Sequence, residues 1–298
     1  MSIFLFFLGC FESSVEQQPP MVKEEVVEQK EKKREYRIDR IEEYQISHIY
    51  KELPQYVYAA NEGINVRNRA TANSSVLAKL PLGTKIEILE KDKEETLGTR
   101  TDFWYHVRVK SKGKSIDGYL FGSTLTPYSL RADWDGDGKN EAIFVMFNER
   151  KELLVRIADP NGENTWSNMS AYVQDEFVAD KLTVKLLHKE IAGMPLLKIE
   201  ANDQTQSFFW TKYVSYHHGK ILRALEYTEQ ETADQYQKKE PNFGPKKLSM
   251  RVIDGVVQAD GSEKQTIITK RYRYRSGVFI EKNSSEPKQK VLPPQVTN

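Results

Sequence analysis

Gly63-Ile64-Asn65-Val66-Arg67 and Lys85-Ile86-Glu87-Ile88-Leu89-Glu90 alternate apolar and polar residues in period two, the mark of half-buried β-strands, and the aromatic-rich run Phe103-Trp104-Tyr105-His106-Val107-Arg108-Val109 follows them. Turn chemistry separates them: Asn61-Glu62-Gly63, the loop Thr71 to Ser75, Pro81-Leu82-Gly83-Thr84 and Lys112-Gly113-Lys114. Tyr56 to Ala59, Val76 to Leu80 and Gly118-Tyr119-Leu120 add further short strands. Five or more strands in about 70 residues point to a small barrel, which closes its edges on itself.

The order and spacing of these runs resemble the bacterial SH3-like domain, ending in Asp117-Gly118-Tyr119-Leu120-Phe121 and Leu125. The resemblance spans about a quarter of the chain, 54–128. Leu120 replaces the usual valine of the last motif, and Lys91 to Thr101 is long for the loop it occupies. Such domains are binding modules, so the resemblance implies attachment to peptidoglycan or to a partner protein. Trp104, Tyr119, Val66 and Leu89 are expected in the core. Tyr105 and Arg67 alternate with inward neighbours and are the candidate ligand contacts. His106 is expected at the surface or rim.

Outward from the barrel, the N-terminus reads differently. Met1-Ser2-Ile3-Phe4-Leu5-Phe6-Phe7-Leu8-Gly9-Cys10 is an apolar run closed by a small residue and the only cysteine. It resembles a bacterial lipoprotein signal, with Phe7-Leu8-Gly9-Cys10 as its lipobox and Cys10 as the lipidation site. Several acyl chains give lasting membrane attachment where one gives only marginal binding. No Lys or Arg precedes the run, so a start further upstream is expected. Residues 1–9 are then a signal peptide and 10–53 a lipidated, disordered or partly helical tether. Within it, Ile46, Ile49, Tyr50 and Leu53 fall at helical spacing, and Pro54 stops the helix.

The unit at 129–282 opens with Asp133-Trp134-Asp135-Gly136-Asp137-Gly138-Lys139-Asn140-Glu141. Carboxylates of Asp133, Asp135, Asp137 and Glu141, with the Lys139 carbonyl, suit one Ca²⁺, a hard cation that takes six to eight oxygens. An apolar strand, Ala142 to Phe147, follows in place of the EF-hand's glutamate and helix. The pattern resembles the calcium loops of FG-GAP and VCBS-type β-proteins, here in one copy. That implies a β-sandwich or blade-like antiparallel sheet with a structural Ca²⁺. A metal-free Asx turn is the alternative. Strands are expected at Leu153 to Ile157, Leu182 to Leu187, Pro195 to Ile199 and Ser207 to Tyr213. Hairpins are expected to turn at His217 to Lys220 and at Ser276-Gly277. Arg271, Arg273 and Arg275 share one strand face, and the tail, 283–298, is expected to be disordered.

The 44 Lys and Arg against 43 Asp and Glu exclude a general polyanion binder, and no nucleic-acid partner is expected. One cysteine excludes a disulfide framework and a multi-cysteine zinc site. His-Glu-x-x-His and Gly-x-Ser-x-Gly are absent from the sequence. The chain therefore reads as mainly β: an SH3-like barrel, then a β-rich domain, behind an N-terminal tether. The expected function is a non-enzymatic, membrane-anchored envelope lipoprotein that binds cell-wall polymer or an envelope protein. A carbohydrate-directed envelope enzyme targeted by the barrel, or a docking subunit of an envelope complex, are the alternatives.

Overall fold

The computed structural model describes residues 43–47, 52–111, 113–147, 152–159, 165–170, 181–188, 192–202, 205 and 207–293. The chain divides into Met1–Tyr36 and Arg37–Asn298, and every described residue lies in the second unit. Cys10, and with it the lipidation and signal-peptide expectations, lies outside the described residues. No helix among the described residues is long and apolar enough to cross a membrane.

The fold is mainly β and antiparallel. Its first strand, β1 (Glu43–Ser47), corrects the helix expected there: it pairs with β13 (Lys181–Leu187), Tyr44 opposite Val184 and Ile46 opposite Leu182. Tyr44 and Ile46 are buried by this pairing, and burial against a distant strand outweighs a local helical spacing. The end of the presumed tether is thus part of the second sheet.

The barrel is one seven-stranded sheet, ordered β4-β3-β7-β6-β5-β2-β8. Its strands are β2 (Tyr56–Ala59), β3 (Ile64–Arg67), β4 (Val76–Leu80), β5 (Lys85–Leu97), β6 (Arg100–Ser111), β7 (Lys114–Phe121) and β8 (Leu125–Thr126), with a 3-10 turn at Gly122–Thr124. Val57, Val66, Leu80, Ile86, Val107, Val109 and Leu120 fill it. Lys91 to Thr101 is not a loop, because β5 and β6 run on as a paired hairpin to Leu97 and Arg100.

A four-stranded sheet follows, ordered β12-β11-β10-β9: β9 (Leu130–Ala132), β10 (Glu141–Phe147), β11 (Leu153–Ala158) and β12 (Thr165–Ser170). It packs on the ten-stranded sheet, in which β1, β13, β14 (Leu196–Asn202), β15 (Phe208–His217) and β16 (Lys220–Glu231) supply the facing residues. That sheet continues through β17 (Gln235–Gly244), β18 (Lys247–Val257), β19 (Glu263–Arg275) and β20 (Val278–Ser284), and β21 (Lys288–Leu292) pairs with β19. The expected disordered tail therefore carries a strand, held by Lys290 opposite Gln265 and Lys288 opposite Ile267. Both expected hairpins form. Their tips, His218-Gly219 and Ser276-Gly277, have positive φ at both positions, the turn geometry that matches strand twist.

All seven residues of β10 are buried, and the reason lies in its two faces. Ile143, Val145 and Phe147 enter the sandwich core. Ala142, Phe144 and Met146 pack instead on Tyr58, Ala60 and Leu82 of the barrel. The boundary at 128/129 thus separates sheets, but the two units share an apolar core. Arg100 spans the same junction, donating from Nη1 to the Ser123 carbonyl at 3.0 Å and from Nη2 to the Phe147 carbonyl at 3.1 Å.

Candidate functional site

Strand parity on β6 decides which side chains a ligand can meet. Tyr105, Val107 and Val109 point into the barrel, and Tyr105 is 2% exposed. This corrects the outward placement of Tyr105: its neighbours of like parity are two core valines, so it shares their face. Burial pushes its phenol up to about 12. Trp104 points the other way, yet it is buried too, covered by Phe121 at a ring separation of 5.4 Å. Its indole N–H donates to Glu95 of the β5 extension. Tyr119, expected in the core, is half-buried on the outer face and stacks on His106 at 5.0 Å. Leu89 is also only half-buried, because a register shift between Ile88 and Glu90 takes it out of the ladder.

Arg67 lies where the barrel opens. Together with Glu62, Asn65, Arg100, Trp104 and Phe121 it lines a groove of about 340 Å³. The Arg67 guanidinium donates to the Ser74 carbonyl at 2.7 Å, and the Ser74 hydroxyl ties the same loop through the Arg69 and Thr71 carbonyls. The cation is therefore fixed in direction before any ligand arrives. Glu62 accepts from the Leu82 amide at 2.9 Å. Asn65 Oδ1 is buried with no hydrogen-bond partner among the described residues, and an unsatisfied buried acceptor costs about 1–3 kcal/mol. Behind the groove Asp102 is 7% exposed, with its carboxyl raised above the ordinary value by burial. It lies under Gly122, where any Cβ would come within 2.7 Å of Asp102 Oδ1.

Three of the four candidate carboxylates converge. Carboxylate oxygens of Asp133, Asp135 and Glu141 lie within 4.8 Å of one another, a spread that oxygens sharing one Ca²⁺ at about 2.3–2.6 Å can meet. Asp137 lies outside that cluster: its Oδ1 accepts the Lys139 amide at 2.7 Å, and Lys139 Nζ lies 3.6 Å from Oδ2. The loop is shaped by its own side chains, with Asp133 Oδ1 accepting from Gly136 N at 2.9 Å and Asp135 Oδ1 from Asp137 N at 3.0 Å. Gly136 and Gly138 have φ of 85° and 88°, which suits glycine. Glu141 is 2% exposed, accepts from Trp134 N at 2.6 Å, and has its carboxyl raised by burial. Trp134 is the anchor that loop chemistry alone does not reveal. Its ring enters the sandwich core, and it is the one aromatic residue within the acidic run.

The comparisons reach one part of this architecture. No curated protein and no solved structure matches the chain. The groove-bearing barrel is the part that does match: residues 62–126 fit the family described as the bacterial SH3 domain.

Proposed function

We propose that this chain is a non-enzymatic, membrane-anchored envelope lipoprotein whose barrel groove holds cell-wall peptidoglycan. Bacterial SH3 domains are cell-wall or protein-binding modules, and they are typical of envelope-associated proteins. The observation that carries the finer reading is the groove itself. It offers a fixed cation at Arg67, an exposed acceptor at Glu62 and aromatic walls at Trp104 and Phe121. Donor, acceptor and apolar wall in one cleft suit a peptide or amino-sugar segment.

The calcium loop complements this reading as a clip. Bound Ca²⁺ at Asp133, Asp135 and Glu141 would neutralise three close carboxylates and hold the entry to β10, the strand shared by the sandwich and the barrel junction.

Co-sedimentation of the full chain with peptidoglycan stripped of phosphate polymers tests the groove. Saturable pelleting is expected, and Arg67→Gln should weaken it by about tenfold or more, given the strength of charge-assisted hydrogen bonds. A wild-type chain that stays in the supernatant overturns wall binding and leaves a partner protein as the ligand.

A further inference from the structure

The last strands of the ten-stranded sheet carry positive charge that the chain as a whole does not. Between residues 235 and 293, thirteen Lys and Arg stand against six Asp and Glu, whereas the whole chain holds 44 against 43. Strand parity concentrates part of that excess on one face. On β19, Tyr272 and Tyr274 turn inward onto the cluster of Tyr213, Leu248 and Phe279. Arg271, Arg273 and Arg275 therefore point outward, and all three are exposed.

The register extends this face across four strands. Lys247 lies opposite Arg273 and Ser249 opposite Arg271 on β18, with Gly244 and Asn242 next in line on β17. On β20 Ile280 sits opposite Arg273 and is 49% exposed. Arg251 is neutralised by Glu240 at 2.6 Å. Lys247, Arg271, Arg273 and Arg275 have no ion-pair partner among the described residues. The Glu281 carboxylate is engaged by Lys270, a residue of inward parity, at 3.4 Å. Successive arginines on one strand face are about 6.6 Å apart and cross-strand neighbours about 5 Å, so these cations repel one another without an anion between them.

A concavity of about 330 Å³ lies within the patch, lined by Asn242, Lys247, Ser249 and Arg271 among others. Phe243, Gly244, Leu248 and Tyr272 complete its lining, and an ammonium, a guanidinium, a hydroxyl and an amide around one hollow are groups that can hold a phosphate. We propose that the outer face of β17 to β20 docks on a membrane leaflet bearing anionic phospholipids, with a headgroup phosphate seated between Lys247 and Arg271. A lipid surface fits better than a soluble polyanion for two reasons. The cations spread over neighbouring strands rather than along a groove, and exposed Ile280 beside Arg273 gives an apolar contact that the acyl boundary can use and a soluble polyanion cannot. This face is separate from the barrel groove and does not depend on how that groove is read.

The test is flotation of the full chain with vesicles of equal parts phosphatidylglycerol and phosphatidylcholine, against phosphatidylcholine alone. The neutral vesicles measure any binding by the apolar N-terminal run. Binding should rise on the anionic vesicles and fall with added salt. Arg271→Gln, Arg273→Gln and Arg275→Gln together should lower it by at least about tenfold, since each basic residue at a lipid surface contributes roughly a fivefold factor. Lys247→Gln alone, which leaves β19 intact, should cost about fivefold. A control with Lys93, Lys110 and Lys114 changed to Gln removes the same charge from the barrel and should stay within about twofold of the wild type. Equal binding to both vesicle types, or equal loss in the control, overturns the proposal. Tighter binding to soluble polyphosphate than to anionic vesicles also overturns it, in favour of a linear polymer.

Discussion

Phe144→Ala is the change that most directly probes how the barrel and sandwich are joined. Phe144 is fully buried and lies between Tyr58, at a ring separation of 5.9 Å, and Leu82. Its ring also presses on Gly83, where a Cβ would meet Phe144 Cζ at 3.0 Å. Removing a buried phenyl group costs about 3–5 kcal/mol, the larger values applying where neighbours cannot close the cavity. Gly83 has no side chain to move in, and β10 is pinned between two sheets by β9 and β11, so the upper half of that range is expected. With urea slopes of roughly 1–3 kcal/mol per molar, the midpoint should fall by more than about 1 M. Hydrogen exchange read by mass spectrometry distinguishes the two units. If the shared core makes them one cooperative body, amides of Val57 and Val107 in the barrel should lose as much protection as those of Ile143 and Val155 in the sandwich. Wild-type protection in the barrel beside a loosened β10 would refute the joint core.

Gly118→Ala should destabilise the barrel by about 1–3 kcal/mol, read as a lower melting temperature, because its Cβ would fall 2.6 Å from Val66 Cγ1 and 2.8 Å from the Arg67 carbonyl. Asp102→Asn should raise the melting temperature at neutral pH. Burial holds the folded carboxyl above its ordinary value, so the stability gained on protonation is present in acid and lost as pH rises through the raised value. The amide keeps the bond accepted from Phe103 N at 2.7 Å, and its advantage should shrink towards zero below the ordinary carboxyl range. A gain unchanged by pH would sink that account. Added Ca²⁺ should raise the melting temperature, by an amount worth about 2.7 kcal/mol at a hundredfold excess over Kd, and chelator should reverse it. Asp135→Asn should abolish most of the response, whereas an identical melt with and without Ca²⁺ would show the loop to be a metal-free turn. Metabolic labelling with a fatty acid should mark the wild-type protein and not Cys10→Ser, and a wild type that takes up no label would refute lipidation at that residue.

The barrel was legible in the sequence because its strands obey period two and its turns carry their own chemistry. Glycine at positions 63, 83 and 113 has positive φ, as tight turns require. Where legibility failed, two periods fitted the same residues. Tyr44 and Ile46 satisfy a strand, while Ile46, Ile49, Tyr50 and Leu53 satisfy a helix, and Leu182 and Val184, far along the chain, decide between them. β17 was missed for another reason. Most of β17 is at least partly exposed on both faces, so no clean apolar alternation marks it. Pairing with β18 along its whole length, from Gln235 opposite Val256 to Gly244 opposite Lys247, holds it in place.

The groove shows how one error of parity propagates. Size alone puts Trp104 inside, and that choice forces Tyr105 outside. Counting back from Val107 and Val109, both buried, reverses the assignment, since alternate residues share a face. Trp104 is buried from without, by cover that the alternating framework does not supply. Glu95 accepts a hydrogen bond from its indole N–H, and Leu97 and Arg100 extend the wall beyond it. All three belong to the segment that read as an overlong loop, which pairs as the end of the β5–β6 hairpin. The framework strand β3 contributes Asn65 and Arg67, and the inserted hairpin contributes the opposite wall.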